Sequence, residues 1–298
     1  MSAVTHILSV PLEPLEASAA ETLRAALGVL CAKDPTLGIE AGPAGEIILK
    51  GITESQLEWV VWHLQREPGL AFKSGAPEVQ YRETITRPVD WTYIHKQRDP
   101  SQYAKVRLHF ITQAPGAGIE TEIRCRPEDL PPHIPAADFQ DAIDNGILAA
   151  CKAGGIAGFP VTDLKALVVE TGWHDVDSTQ AAFEIAARLC LREALPKAQP
   201  CLLEPIMLVM TLTPAEFLGD VIADFNGRRG QVQGLAEHGA TCAITCMAPL
   251  ANLIGYENAL RAITRHRGTC TMAFDRYDRA PPTGSGDGNF PMDAAMQA

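Results

Sequence analysis

The stretch Glu46-Ile-Ile-Leu-Lys-Gly-Ile-Thr-Glu-Ser-Gln-Leu-Glu-Trp-Val-Val-Trp-His-Leu64 decides the architecture. Glu46–Leu49 is a short apolar run of strand type. Thr53-Glu-Ser-Gln56 has the form of a capping box, in which a hydroxyl takes an early helical N–H and the glutamine reaches back. Leu57, Val60, Val61 and Leu64 then recur at helical spacing and predict an inward face.

Upstream of it, Ile7–Leu12 reads as a strand and Ser18-Ala-Ala-Glu21 as another capping box. Leu23, Leu27 and Leu30 mark a helical face that Asp34-Pro35 stops. Leu37–Ala41 reads as a strand joined to Glu46–Leu49 by the turn Gly42-Pro-Ala-Gly45. Downstream, Pro68-Gly69 ends the helix and Leu70–Lys73 adds a last strand. The order βαββαβ predicts a ferredoxin-like split-βαβ sandwich with its helices on one sheet face.

The last third repeats that order without repeating the sequence. Leu203–Leu212 reads as a strand, and Thr213-Pro214-Ala-Glu216 as a cap with Pro at the first helical position. Phe217, Val221, Ile222 and Phe225 give a buried stripe, and Gly227 marks the helix end. Gln231–Leu235 and Thr241–Met247 form a predicted hairpin around Glu237-His-Gly239, followed by a helix over Leu250–Ile263 and a strand over Thr269–Phe274.

The middle is built differently. Tyr93–His95 and Val106–Thr112 predict a hairpin with Lys96-Gln-Arg-Asp-Pro-Ser101 at its tip, and Ile119–Cys125 another strand. A helix from Ala136 turns Phe139, Ile143 and Ile147 inward and ends at Gly154-Gly155. Val161–Glu170 reads as a strand leading to the loop Thr171-Gly-Trp-His-Asp-Val176. Asp177-Ser-Thr-Gln180 then caps a helix with Phe183, Ala187, Cys190 and Ala194 on one face, which Pro196 should end or kink. The expected fold class is α+β in three domains: 1–77 and 200–278, both ferredoxin-like, flanking 78–199, with 279–298 as a disordered Pro/Gly-rich tail.

Composition narrows the function. The chain has 298 residues, 46% hydrophobic and 20% charged, with a net charge of −11. Phosphate neutralisation needs surplus Lys and Arg, so no whole domain is an electrostatic nucleic-acid binder; any such contact must come from loops. No segment has the length of a membrane span or the form of an export signal. The eight cysteines are scattered in apolar runs and read as reduced and buried; Cys242 and Cys246 lack the spacing of a zinc site, and no metal is expected.

There is no G-x-x-x-x-G-K-[ST], no G-x-G-x-x-G after a strand and no G-x-S-x-G. Asp224-Phe-Asn-Gly227 matches a bare D-x-x-G without its partners. No catalytic residue is assigned, although His174, Asp175 and Asp177 could form an acid–base group in a hydrolase reading. Three constellations suit RNA instead: His95, Lys96, Arg98 and Lys105 around Gln102-Tyr103; Trp173-His174; and Arg228-Arg229 and Arg261 with Arg265, His266 and Arg267, taken as separate patches because the two helix ends need not be close. Arginine at a helix C-terminus is also favoured by the dipole alone, so the last group carries a purely structural alternative.

Tyr81-Arg-Glu-Thr-Ile85, Ala157-Gly-Phe-Pro-Val-Thr-Asp163, His174-Asp-Val-Asp-Ser178, Leu203-Glu-Pro-Ile-Met207, Gly219-Asp-Val-Ile222, Asn226 with Arg228-Arg229-Gly230, and Arg267-Gly-Thr-Cys-Thr-Met272 occur in this order. Together they resemble the third to fifth domains of elongation factor G-like translational GTPases, over roughly residues 5–278. The resemblance implies a left-handed βαβ crossover in the middle domain and a cytoplasmic, ribosome-binding protein. It implies that Lys96, Gln97, Arg98, Ser101, Gln102, Trp173 and His174 form a tip contacting tRNA and mRNA at the decoding site. Arg228, Arg229, Arg265 and Arg267 would contact rRNA.

Departures accompany it. Arg98-Asp-Pro-Ser101 replaces a Gly-Gly-x-Gly run and is one residue shorter, and Gly51-Ile-Thr-Glu-Ser-Gln-Leu-Glu58 lacks the family's second Gly and its His. The nucleotide-binding domain has no counterpart in this sequence, so no cofactor is expected here; GTP and Mg would require a separate GTPase domain, in cis or in trans. A C-terminal piece of a longer protein and a stand-alone paralogue both fit. From a different class, the paired βαββαβ units could be a small-molecule-sensing or oligomerising module.

Overall fold

The computed structural model describes residues 6–42, 45–67, 70–99 and 101–281. Three sheets and seven α-helices are built from them. The first sheet comprises β1 (Leu8–Pro14), β2 (Gly38–Ala41), β3 (Ile47–Gly51) and β4 (Phe72–Ser74) in the order β2-β3-β1-β4, with β5 (Glu78–Val79) also pairing β1. Helices α1 (Ala17–Lys33) and α2 (Glu54–Leu64) bury Leu23, Leu27, Leu57, Val60 and Leu64 against Leu8, Val10, Leu12, Ile47 and Leu49. This is the expected βαββαβ order.

The Thr53 cap forms as read: its hydroxyl accepts the Gln56 N–H at 3.3 Å, and the Gln56 side chain accepts the Ile52 N–H at 3.1 Å. The Gln56 amide also donates to Asp34 Oδ2 at 2.9 Å, tying this cap to the turn that ends α1. Ser18, read as the cap, lies inside the first turn of the helix. Helix α1 starts at Ala17, after Glu16, which supplies no side-chain hydrogen bond to the helix end. Tertiary burial of Ala19, Leu23 and Leu27 outweighs a missing cap, a deficit of about 1 kcal/mol.

The middle sheet contains β7 (Val89–Arg98), β8 (Ser101–Thr112), β9 (Ile119–Ile123) and β10 (Leu164–Gly172), in the order β7-β8-β10-β9; β6 (Arg82–Ile85) lies before it in the chain. Strands β9 and β10 are parallel, as a crossover requires, and α3 (Ala136–Ala153) is that crossover. With α4 (Gln180–Ala194), α3 covers the face carrying Ala104, Val106, Leu108, Phe110, Ala166 and Val168. Phe139 and Phe183 meet edge to face at 5.0 Å between centroids. The cap of α4 is Thr179, which accepts the Ala182 N–H, and not Asp177.

Glu83 explains two of the quoted motifs at once. It is buried, and its carboxylate accepts the N–H groups of Ile156, Ala157 and Phe159 at 2.8–3.0 Å. A Cβ on Gly155 would lie 2.3 Å from a Glu83 carboxylate oxygen, so only glycine fits beside it.

The third sheet runs β12-β13-β11-β14, with β11 (Pro200–Pro214), β12 (Gln231–His238), β13 (Thr241–Pro249) and β14 (Thr269–Arg279). Substituting its strands in chain order gives the order of the first sheet again, which places the architectural echo in the topology. Strand β11 pairs β6 through Pro200–Leu203 and β13 through Ile206–Pro214. The helices are α5 (Leu218–Gly227), α6 (Leu250–Leu253) and α7 (Tyr256–Ile263).

Two expectations fail here. Thr213-Pro214 remains in β11, and a 3-10 turn over Ala215–Phe217 precedes α5. The single helix expected over Leu250–Ile263 is broken after Leu253, because Gly255 takes a left-handed φ of 73°. Its N–H donates to Glu54 Oε2 at 2.7 Å. Chain contacts group the residues up to Gln80 with Glu204–Arg276 as one compact unit, and Tyr81–Leu203 with the residues from Tyr277 as another. Most of the expected tail lies outside the described residues.

Candidate nucleic-acid interface

Strands β7 and β8 remain paired to their ends, with Lys96 opposite Tyr103, Gln97 opposite Gln102 and Arg98 opposite Ser101. Of the six-residue tip loop expected from the sequence, Lys96, Gln97, Arg98 and Ser101 are therefore part of a long ladder. Lys96, Gln97, Arg98, Ser101 and Gln102 are strand residues held in register. His95 Nε2 lies 3.0 Å from Gln102 Oε1, and the Gln97 side-chain amide donates to Asp99 O at 3.0 Å.

Strand β10 brings the second loop to the same place, because Gly172 pairs with Lys105. Ser178, 2% exposed, fastens the two segments. Its hydroxyl donates to Tyr103 O at 2.7 Å and accepts the His174 N–H at 2.8 Å, while the Tyr103 N–H donates to Asp177 O at 2.9 Å. His133 Nε2 donates to Ser178 O at 2.7 Å, and its ring meets Trp173 edge-on at 5.9 Å. Sequence reasoning placed Tyr103 at the tip but missed Ser178 and His133 as site-building residues. Ser178 sits in a Ser/Thr run whose capping signal concealed its second use.

The result is a cleft of about 460 Å³ lined by Lys96, Gln97, Ser101, Gln102, Trp173 and His174, with Tyr103 and the Asp177 carboxylate also on its wall. The structure thus gathers two stretches 70 residues apart in sequence into one surface, with Arg98 next to it at the end of β7. The His174 ring is exposed; its Nδ1 accepts the Val176 N–H at 3.4 Å and lies 3.4 Å from Asp177 Oδ2. The Ser178 hydroxyl is engaged by backbone groups, so no nucleophile–base pair forms with His174, which weighs against the hydrolase reading.

Charge sorts sharply across this unit. Below the tip, the sheet face opposite the core carries cross-strand ion pairs, Arg107 with Asp90 at 2.9 Å, Lys105 with Glu170, and Lys165 with Glu120 at 2.9 Å and Glu122 at 3.0 Å, and Arg124 pairs with Glu122 at the end of β9. The Lys105 hydrogen bond holds the Glu170 carboxyl below the usual range, and those of Arg124 and Lys165 do the same for Glu122. At the tip, by contrast, Lys96 and Arg98 form no ion pair among the described residues. Two uncompensated cations, side-chain amides, an indole and an imidazole on a fixed backbone can bind phosphate and hydrogen-bond the edges and hydroxyls of nucleotides.

The four arginines expected to contact rRNA divide into two groups. Arg228 donates to Asp224 Oδ2 and to Asn252 O, each at 2.8 Å, and lies over the Tyr256 ring. Arg229, at a left-handed φ of 60°, grips the buried Glu204 carboxylate through both terminal nitrogens at 2.6 and 3.2 Å. Arg267 pairs with Glu216 and lies over the Phe217 ring, whereas Arg265 is exposed. Arg228 joins the end of α5 to the start of α7, and Arg267 joins the end of α7 to the turn before α5, so the groups occupy opposite ends of an antiparallel helix pair.

Among the described residues no cluster of three or more His, Cys, Asp or Glu side chains could hold a metal, and no helix is long and apolar enough to cross a membrane. Of the eight cysteines expected to be buried, Cys151, Cys190, Cys242 and Cys246 are, whereas Cys31, Cys125, Cys201 and Cys270 are half-buried; burial pushes the Cys246 thiol up to about 11 and the Cys151 thiol to about 12.

Family models match in the same order as these elements. Elongation factor G domain III matches residues 5–76, domain IV residues 77–199 and the elongation factor G C-terminus residues 201–284. Elongation factor G of Ruegeria pomeroyi is 39% identical over 278 residues, covering 92% of this chain and 39% of the relative. That of Anaplasma phagocytophilum is also 39% identical, covering 92% and 40%. A crystal structure of a Thermus thermophilus protein superposes with a TM-score of 0.73 at 33% identity, over 95% of this chain and 42% of that one. The chain spans about two-fifths of the length of these relatives. It belongs to the elongation factor G family and carries the family's third, fourth and C-terminal domains.

Proposed function

We propose that this chain is a ribosome-directed arm of a translation factor, working in the cytoplasm and contacting tRNA and mRNA through the cleft at the β7–β8 tip. The domain limits that go with this reading are 1–77, 78–199 and 200–278. The observation that carries it is the pair of unpartnered cations, Lys96 and Arg98, beside Trp173 and His174 on a sheet whose other charges are cancelled. A protein with a net charge of −11 binds polyanions through a few positioned groups, so the affinity is modest and sensitive to salt. Arg265 is the arginine of the C-terminal domain best placed for rRNA; Arg228, Arg229 and Arg267 contribute chiefly by shaping the surface. The chain supplies RNA contact and no cofactor chemistry, and any GTP hydrolysis with its Mg comes from a GTPase domain acting in cis or in trans.

The test is co-sedimentation with ribosomes at two salt concentrations. His174→Ala combined with Arg98→Ala should weaken pelleting, with the larger loss at the lower salt, because removing a phosphate-binding cation also lowers the salt dependence. Pelleting unchanged in the double variant overturns the tip assignment.

A further inference from the structure

Helix α2 carries two tryptophans, Trp59 and Trp62, each 53% exposed. At a spacing of three residues they share one side of the helix. Neither indole is bare. The His63 imidazole stacks on Trp59 at 5.1 Å with an interplanar angle of 6°, and the Arg66 guanidinium lies 3.6 Å from the Trp62 ring centroid. The chain thus covers its own indoles with a cation and a protonatable ring, the groups an indole face attracts most strongly.

Trp62 also lines a groove of about 310 Å³ with Glu54, Glu58, Val61, Gln65 and Pro77. Its lining holds two carboxylates and no basic residue. Glu54 is committed to the Gly255 N–H. Glu58 makes no hydrogen bond or ion pair among the described residues, and partial burial together with Glu54 and Glu257 pushes its carboxyl up. Arg261 opposes that push only in part, being paired with Glu257. An indole, an apolar floor and an unneutralised carboxylate match a side chain with an alkyl stem and a charged head.

We infer that the α2 groove is a docking surface for a basic protein segment, which places a lysine or arginine against Glu58 and the part of Trp62 that Arg66 leaves exposed. Charge complementarity selects this occupant over RNA: residues 1–77 hold 5 basic against 9 acidic side chains, so a phosphate backbone is repelled where a basic segment is attracted. Tryptophan and arginine are also the residues that concentrate binding energy at protein interfaces.

The experiment uses the full chain and a fluorescein-labelled nona-arginine peptide, read by anisotropy, with a labelled oligouridine of similar length in parallel. Trp62→Ala and Glu58→Gln should each weaken peptide binding about tenfold. Glu237→Gln makes the same charge change on the exposed end of β12 and should leave binding within about twofold of the parent, which separates the groove from general attraction to an acidic protein. Both groove positions are solvent-facing, and an unchanged thermal midpoint verifies their folding. Equal affinity in all three variants overturns the proposal, as does oligouridine binding that Trp62→Ala abolishes, which would make the indoles a base-stacking platform. The tip variant His174→Ala with Arg98→Ala should leave the peptide result untouched, so the groove and the tip stand or fall separately.

Discussion

The β7–β8 tip and the helix ends of the C-terminal domain use the same residue type in opposite ways. At the tip, Lys96 and Arg98 end a ladder without forming an ion pair among the described residues, and the neighbouring loop is fastened through backbone groups and Ser178. At the end of α5, Arg228 and Arg229 are taken up by Asp224, Asn252 O and Glu204. An arginine is a structural residue or an available contact according to what the fold brings beside it. The difference teaches that the number of cations in a loop says little until their partners are known.

The largest effect that sharpens this contrast is on stability. Arg229→Ala strands Glu204, which is 2% exposed, and should cost about 3 kcal/mol, the low end for a broken buried pair because Arg229 itself is partly in water. Arg98→Ala should change stability by less than about 0.5 kcal/mol. Urea midpoints that move equally in both variants would break the comparison.

Ser178→Ala comes next. It removes the hydroxyl that bridges Tyr103 O and His174 N and should cost about 2 kcal/mol. Amide exchange at His174 should accelerate, with Leu108 and Phe110 still protected, since only the bridge between the two tip segments is lost. Ser178→Thr, which retains the hydroxyl, offers a graded control.

Exposed pairs give the smallest effect, and its sign follows from linkage. Glu122 and Glu170 are held below their ordinary range by Arg124 and Lys105. The stability they contribute is present above the ordinary carboxylate value and is lost as the pH falls through the lowered folded value. Glu122→Gln with Glu170→Gln should therefore flatten the fall of the thermal midpoint between about pH 5 and pH 3, within the range expected from those values. An unchanged slope would show that these ladders are neutral in the folding balance.

Much of this was legible in the sequence. The cap at Thr53, the inward face of α2, the paired faces of α3 and α4 and the break at Pro196 all arise from spacing and local hydrogen bonding, which short peptides already encode. Local signals misled where tertiary packing outweighed them. Ser18 and Asp177 look like caps but the helices begin elsewhere, Gly255 breaks a helix the apolar spacing would have continued, and the tip is strand where charged, turn-rich residues suggested a loop.

The sequence by itself determined the elements, their order and the family, because hydrophobic period, capping and motif order are properties of neighbours along the chain. Only the tertiary structure decided which cations are free, that His174 stands beside Gln102, and that Trp62 borders a groove with Glu58. The physical reason is that a charge is available or cancelled according to groups tens of residues away, such as Glu204 for Arg229 and Glu170 for Lys105, and folding alone sets those distances.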